Sequence, residues 1–481
     1  MRSTEVSEAV KDQFFLRLLI GLFFILIFAY CWQPGYLDDD SLAYAQTAKL
    51  VSDTNQWLAF YDPSYGGQFY YHFPLVIWVT AILFKLFGVN VLAASLFSLI
   101  SCLGAVIALF YFGKLIKNNW VGFFASAIFL FINFTWRLSR QCRMDMPLTF
   151  FIILSLYFFA RGHRLKKINY LFFGLFAGLA IMSKDVNGLA PLAIACIFLV
   201  LTGKFREFLD PNFILGVIIA FFPVGIWILL EIRLVGFRGT IFSTWLRWNF
   251  LHLLRVKALY KPAYYYPLEI AKKYFYFLPL AIYGGYLGVR KFLTRKSTLP
   301  MLILAWLIFI PFAFSFGSQK LHYFIYSMYP AFALLCAIGL EQLCSQRYQE
   351  LILKWAGWLI IALCLVRLCI PLSLTKAYFT DVVRLAPYLD SILVKAKPFE
   401  FYVFKQDDSA LVFYSKELEQ VRRIKDFESL EVNLLAKSSG KTRFFLLNQS
   451  DFDSLAPATK EHWFTWLQRD GRILIGDSSQ R

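Results

Sequence analysis

Apolar runs about as long as a bilayer is thick recur along the chain as far as position 374, and no other feature restricts the fold so tightly. A helix needs roughly 20 apolar residues to cross the hydrocarbon core, somewhat fewer where it meets a thin membrane. Such runs lie at 14–32, 91–113, 120–136, 147–161, 168–183, 187–203, 211–231, 274–290, 299–315, 322–342 and 355–374. They predict a polytopic α-helical membrane protein with about 11 crossings, at most roughly 13. Composition agrees, since 59% of the 481 residues are hydrophobic and 53 are Phe, far beyond an ordinary soluble domain. The first run has Arg17 near its start and is followed by no small-residue cleavage site, so it reads as a retained span rather than a signal peptide.

The net charge of +18 raises the question of nucleic acid, but the basic residues fall mostly in short loops between apolar runs. Lys114/Lys117, Arg161/Arg164/Lys166/Lys167, Lys204/Arg206, Arg290/Lys291/Arg295/Lys296 and Arg347/Lys354 lie on alternate sides of the spans. The positive-inside rule puts that face in the cytoplasm and leaves no need for a nucleic-acid partner. The other face then receives two long external loops, 33–90 and 233–273, together with everything after about 375. This parity requires the apolar stretch Phe73–Phe87 to lie along the outer interface as a juxtamembrane helix rather than cross. The eight Cys show neither disulfide nor metal-ligand spacing and read as small buried hydrophobes.

From about 376 to 481 charged residues become frequent. Short runs such as FEFYVF (399–404), ALVFY (410–414) and TRFFLLN (442–448) alternate there with polar helical stretches. That is the pattern of a small external α/β domain appended to a transmembrane domain over 1–375.

Five constellations could carry chemistry. Asp38, Asp39 and Asp40 follow the first span within a few residues, where charge is expensive and marks catalysis or transport. Asp40 also opens a helix-like run through Tyr44 and Ala48, so an N-capping role alone would account for it. The mutual repulsion of three carboxylates favours a bound cation or the use of one as a general base. His72 stands beside Pro74 at the start of the interfacial run, where an imidazole serves packing, phosphate or metal equally well. Arg140, Arg143 and Asp145 precede a span, and a carboxylate at that depth needs a cation, which either arginine could supply. Lys184 and Asp185 form a fourth group with the 233–273 loop, which mixes Arg247, Arg255 and Lys261 with Tyr264, Tyr265 and Tyr266. Arginines there suit phosphate and tyrosines a sugar face, although a headgroup-binding loop would look similar. Lys320, His322 and Tyr323 make the fifth group, at the outer end of a span.

The order of these motifs resembles the membrane-embedded GT-C glycosyltransferases, in the branch that holds protein O-mannosyltransferase-like proteins and lipid A aminoarabinose transferases. Asp40 to Ala48, D-S-L-A-Y-A-Q-T-A, is similar to that family's D-E-x-x-Y-A-x-x-A, with Ser41 in place of the second acid and Asp39 as the nearest auxiliary carboxylate. His72 to Trp78, H-F-P-L-V-I-W, resembles K-P-P-L-x-x-W. Arg140, Asp145, Pro147 and Leu148 fit R-x-x-x-x-D-x-P-L, and Gly178 to Lys184 fits G-L-A-x-x-S-K-G except that Asp185 replaces the last Gly. Lys320, His322, Tyr323 and, one residue displaced, Pro330 fit K-x-H-Y-x-x-x-x-x-P, while ALVFY resembles a common L-x-F-Y strand of the external domain.

The resemblance implies transfer of a sugar from a polyprenyl-phosphate donor to lipid A or lipopolysaccharide, another glycan or a protein, at the periplasmic face of a bacterial inner membrane. It implies Asp40, Asp39 and Asp145 as catalytic residues. It implies His72, Arg140, Lys184, Arg247, Arg255, Lys320, His322, Tyr323 and Tyr265 as contacts to donor phosphate or substrate. No cofactor is required; a divalent metal ion at Asp39, Asp40 and His72 is the one addition left open. Membrane lipids are the remaining partners. A transporter or flippase for a lipid-linked anion is the chief alternative. It would favour charge near the bilayer midplane and repeated halves, whereas the signals here gather at one face and no repeat is visible.

Overall fold

The computed structural model describes residues 2–29, 31–32, 37–58, 61–62, 67–68, 73–240, 261–262, 264–294, 297–315, 320–344, 380–405, 409–418, 421–424, 426–436 and 441–477, with isolated residues between 242 and 362. Its helices in the first half are α1 (Arg2–Phe23), α2 (Asp39–Thr54), α3 (Leu75–Phe87), α4 (Val91–Ile116), α5 (Asn119–Phe131), α6 (Asn133–Ser139), α7 (Asp145–Arg164), α8 (Asn169–Lys184), α9 (Ala190–Leu201) and α10 (Pro211–Val235). There follow α11 (Tyr265–Tyr274), α12 (Leu278–Leu293), α13 (Leu299–Ser315), α14 (Tyr329–Leu343), α15 (Thr380–Leu393), α16 (Ser409–Tyr414) and α17 (Phe427–Leu435). The chain forms two compact units, one from Met1–Cys31, Tyr70–Val76 and Ser95–Thr375, the other from Trp32–Phe69, Ile77–Ala94 and Lys376–Arg481.

The larger unit is helical because its sequence is apolar over helix-long stretches. Among the described residues five stretches are long and apolar enough to cross a membrane: α4, α7, Asn169–Leu201, α10 and His322–Leu343. A sixth results if α5 and α6, bent by 71° at Ile132, count as one span. The other apolar runs up to 342 form helices too, while most of 355–374 lies outside the described residues. The helices approach closely where both faces carry small residues. A Cβ on Gly174 of α8 would overlap the carbonyl oxygen of Gly216 in α10, and one on Gly178 would lie 2.8 Å from that of Ala220. Without a hydrophobic drive between helices in lipid, such backbone proximity is what gives dispersion its grip.

Asn169–Leu201 does not run straight. A 3-10 turn over Asp185–Leu189 separates α8 from α9, and a Cβ at Gly188 would collide with the backbone of Ala180 and Ile181. Residues seven apart in one α-helix are about 10 Å apart along the axis, so the chain folds back here. Asp185 makes the bend with φ 44° and ψ −127°, a conformation that favours glycine.

The smaller unit contains a five-stranded mixed sheet. Its strands are β3 (Phe399–Phe404), β4 (Arg422–Ile424), β5 (Thr442–Asn448), β6 (Trp463–Arg469) and β7 (Arg472–Asp477), after the two-residue strands β1 (Tyr61–Asp62) and β2 (Gly67–Gln68). The order is β4-β3-β5-β7-β6, with β4, β3 and β5 parallel and the β5–β7 and β7–β6 pairs antiparallel. Asp470 and Gly471, with φ 50° and 72°, make the two-residue turn that joins β6 to β7, where both residues must adopt positive φ. One face packs Tyr402, Phe404, Phe445, Leu447, Ile473 and Ile475 beneath Leu430 and Leu434 of α17.

One sequence expectation for this unit fails. ALVFY is the helix α16 rather than a strand. Ala410, Leu411, Val412 and Phe413 are all buried, and a short run apolar on every side has no period from which to tell helix from strand. In the same unit α2 packs on the C-terminal segment: Lys49 donates to the carbonyls of Val412 (3.1 Å) and Ser415 (3.3 Å). Trp78 of α3 donates to the carbonyl of Trp57 at 2.6 Å, and Lys85 reaches Asn55 at the end of α2.

Candidate active site

Asp145 is the first residue of α7, where a carboxylate meets the positive end of the helix dipole. Lys184 is the last residue of α8, where an ammonium meets the negative end. The two helices bring these termini together, and Lys184 Nζ donates to Asp145 Oδ1 at 2.5 Å. Arg143 adds a second cation, its Nε 3.8 Å from Asp145 Oδ2. All three side chains are buried, so the pairing offsets desolvation that would otherwise be prohibitive. Tyr323 lies over both cations, with the Arg143 guanidinium 4.9 Å and the Lys184 ammonium 5.7 Å from its ring centre. Two cations held around one carboxylate under an aromatic lid leave a net positive charge, which suits a leaving phosphate.

Beside it, Lys320 and Lys261 form a reciprocal staple. Each ammonium donates to the other residue's carbonyl at 2.8 Å, and Lys261 also bonds Tyr265 Oη at 3.2 Å with its charge 4.3 Å from that ring. Tyr266 reaches the Leu321 carbonyl at 3.4 Å. Burial pushes the Tyr266 phenol up, and neighbouring Tyr265 and Tyr323 add to the shift, so it stays a neutral hydrogen-bonding group at physiological pH.

Other predicted residues fall differently. Arg140 donates to the carbonyls of Leu26 (2.8 Å), Ile27 (2.7 Å) and Ala29 (3.1 Å), where a π-helical turn over Phe24–Phe28 ends the first helix. Orphan carbonyls at a helix end need such a donor. His322 packs its ring 4.5 Å from Phe134. In the smaller unit the cap of α2 is Asp38, which accepts from the backbone N–H of Ser41 at 3.1 Å and its hydroxyl at 2.6 Å. Asp39 and Asp40 follow in the exposed first turn, so capping does not account for Asp40. His72, Arg247 and Arg255 lie outside the described residues. Among the described residues no three of His, Cys, Asp and Glu come together as metal ligands.

Sequence reasoning missed two things. Lys184 as the partner of Asp145 comes from a different motif, 39 residues on, and no local signal links them. Lys261 as the partner of Lys320 is equally non-local.

Residues 71–227 match the sequence profile of the dolichyl-phosphate-mannose-protein mannosyltransferase family. Two uncharacterised proteins of Aquifex aeolicus are 24% identical to the chain. One covers 76% of it and 71% of its own length, the other 84% and 88%. ArnT from Cupriavidus metallidurans in the apo state has the same fold, with a TM-score of 0.74 at 14% identity over 98% of both chains. The same protein bound to undecaprenyl phosphate gives 0.69 at 16% identity over 97% of this chain and 98% of that one. The oligosaccharyltransferase AglB from Archaeoglobus fulgidus, in complex with an inhibitory peptide and a dolichol-phosphate, gives 0.54 at 12% identity over 97% of this chain and 74% of that one. The expected resemblance thus extends to a family profile over residues 71–227 and to the fold of ArnT.

Proposed function

We propose that this chain, which carries the ArnT-like GT-C fold, transfers a sugar from a polyprenyl-phosphate donor to an acceptor at the outer face of a bacterial inner membrane. The observation that carries the reading is the buried Asp145–Lys184–Arg143 cluster under Tyr323. Lipid phosphates bound to ArnT and AglB support a donor of that class.

Phosphate is already a good leaving group, so the site mainly has to stabilise the charge that develops as the sugar–oxygen bond breaks. Asp145 fixes Lys184 and Arg143 for this, and the Lys261–Lys320 staple supplies further positive charge. Arg247, Arg255, His72 and His322 are additional contacts to donor or acceptor, and Tyr265 is a surface for the sugar. Asp40 takes the proton of an attacking hydroxyl, with Asp39 beside it, and the new glycosidic bond forms as polyprenyl phosphate departs. Where the acceptor is a lipid phosphate no base is needed, and Asp40 orients the donor sugar instead. Lipid A or lipopolysaccharide, another glycan and a protein are the acceptor classes.

The test is incubation of purified protein in nanodiscs with undecaprenyl-phosphate sugars and an envelope lipid extract, with mass spectrometry of the products. Release of undecaprenyl phosphate together with a glycosylated acceptor is expected. Absence of release across hexosyl and pentosyl donors would overturn the proposal.

A further inference from the structure

α2 exposes Asp39 and Asp40 in its first turn and is buried at most positions from Ser41 to Val51. Among the described elements its main packing partner is α16, near the other end of the chain. Lys49 makes the polar part of that contact: the carbonyls to which its ammonium donates, those of Val412 and Ser415, are 363 and 366 positions away. Phe84 of α3 meets the same helix, its ring 6.3 Å from that of Phe413. All of these residues belong to the smaller unit.

Asp390 of α15 makes the Val412 carbonyl available. In a continuing α-helix the Lys416 N–H would bond that carbonyl. Here Asp390 accepts the Lys416 N–H instead, at 3.1 Å, together with the Glu417 N–H at 3.3 Å and the Ser415 hydroxyl. α16 therefore stops, and its last carbonyls, at the negative end of the helix dipole, are left for an ammonium. The first turn of α15 is in turn tied to the sheet, where Arg472 of β7 donates to Asp381 at 2.6 Å. A continuous series of polar contacts thus runs from β7 through α15 and α16 to α2.

Asp40 and Lys49 are nine residues apart, which in an α-helix is about 14 Å along the axis and two and a half turns around it, so the two lie on opposite sides of α2. The contact to α16 grips the back of the helix and leaves the side bearing Asp40 open. We propose that the C-terminal domain fixes the orientation of Asp39 and Asp40 through Lys49, a positioning residue, with Asp390 keeping the acceptor of Lys49 available. The anchoring stands on the contacts alone; its catalytic consequence rests on the sugar-transfer reading, in which Asp40 takes the acceptor's proton. A reacting group displaced by about 1 Å can lose up to about a hundredfold in rate. A lysine that served stability alone would lower the Tm and leave kcat of the folded protein unchanged.

Full-length protein in nanodiscs would be followed by amide hydrogen exchange with mass spectrometry and, separately, by turnover of undecaprenyl-phosphate sugars. In Lys49→Met, exchange over Asp39–Thr54 should quicken by about tenfold while α17 keeps its protection, which shows that the domain is still folded. Its kcat should fall at least about tenfold with KM for the donor within about twofold, because the cations assigned to the donor phosphate stand on other helices. Lys49→Arg, which still donates to the two carbonyls, should return kcat to within about threefold of wild type. Should Lys49→Met not fold, Asp390→Ala serves instead: it frees the Lys416 N–H to compete for Val412, and should quicken exchange over the same helix severalfold. Unchanged exchange in α2, faster exchange with kcat unchanged, a loss confined to KM, or Lys49→Arg no better than Lys49→Met would each overturn the proposal. If wild type turned over no donor, sugar transfer would fall, and the exchange measurement would decide the anchoring by itself.

Discussion

Substitution of Asp145 by Asn should destabilise the protein more than loss of either of its cationic neighbours, for reasons of charge count. At an effective dielectric constant of about 20, the attraction across the 2.5 Å contact to Lys184 is roughly 7 kcal/mol, and across the 3.8 Å contact to Arg143 roughly 4 kcal/mol, before desolvation is subtracted. Asp145→Asn removes both attractions and leaves two buried cations facing each other, a loss of about 3–5 kcal/mol. Lys184→Met removes one attraction but leaves the carboxylate with Arg143, a loss of about 1–3 kcal/mol. The double substitution restores the charge balance of the pair, so it should cost less than the sum by about 2 kcal/mol. Scanning fluorimetry in nanodiscs gives the ordering. At about 2 °C per kcal/mol for a chain of this size, Asp145→Asn should lower the apparent Tm by about 6–10 °C. Equal shifts for the two single variants, or additive shifts in the double, would refute the idea that the carboxylate organises both cations.

Asp40→Asn should leave the apparent Tm within about 1 °C, since Asp40 is exposed and Asp38 does the capping, while product formation falls at least about a hundredfold; near wild-type turnover would remove Asp40 from the mechanism. Asp185→Gly should be more stable than Asp185→Ala by about 1–2 kcal/mol, because both lose the carboxylate's bond to the Val186 N–H but only Gly accommodates φ 44° without strain; equal unfolding temperatures would count against the bend. Burial raises the Glu207 carboxyl, but hydrogen bonds from His163, Tyr170 and Lys167 outweigh that and hold it at about 2. Its folded value is below the unfolded one, so its stabilisation is complete above about pH 4.5 and is lost as pH falls towards 2. The Tm gap between wild type and Glu207→Gln should accordingly persist down to pH 5 and close between pH 4 and 2; a gap already closed at pH 5 would contradict this.

The apolar helices were legible because run length and hydropathy mark them, and TRFFLLN was legible as a strand because its neighbours are polar. ALVFY was not, since every residue from Ala410 to Phe413 is buried and the period vanishes. In the candidate site Asp145 stood out as a carboxylate at a membrane edge, but sequence offered Arg140 and Arg143 as equal partners. The fold gives Arg143 to the carboxylate and turns Arg140 to the backbone of the first helix. Lys184 and Lys320 were flagged by motif, yet what each one grips is set by helix packing, which no local pattern encodes.

The staple between Lys261 and Lys320 bears on the thermodynamics of capture. A free lysine surrenders about 2 kcal/mol of rotamer freedom when an anion immobilises it. These two have surrendered theirs to each other's backbone before any anion arrives. Calorimetry of an anionic ligand at this pair should therefore show a smaller entropic penalty than at a surface lysine, with attraction set against rigidity already in place.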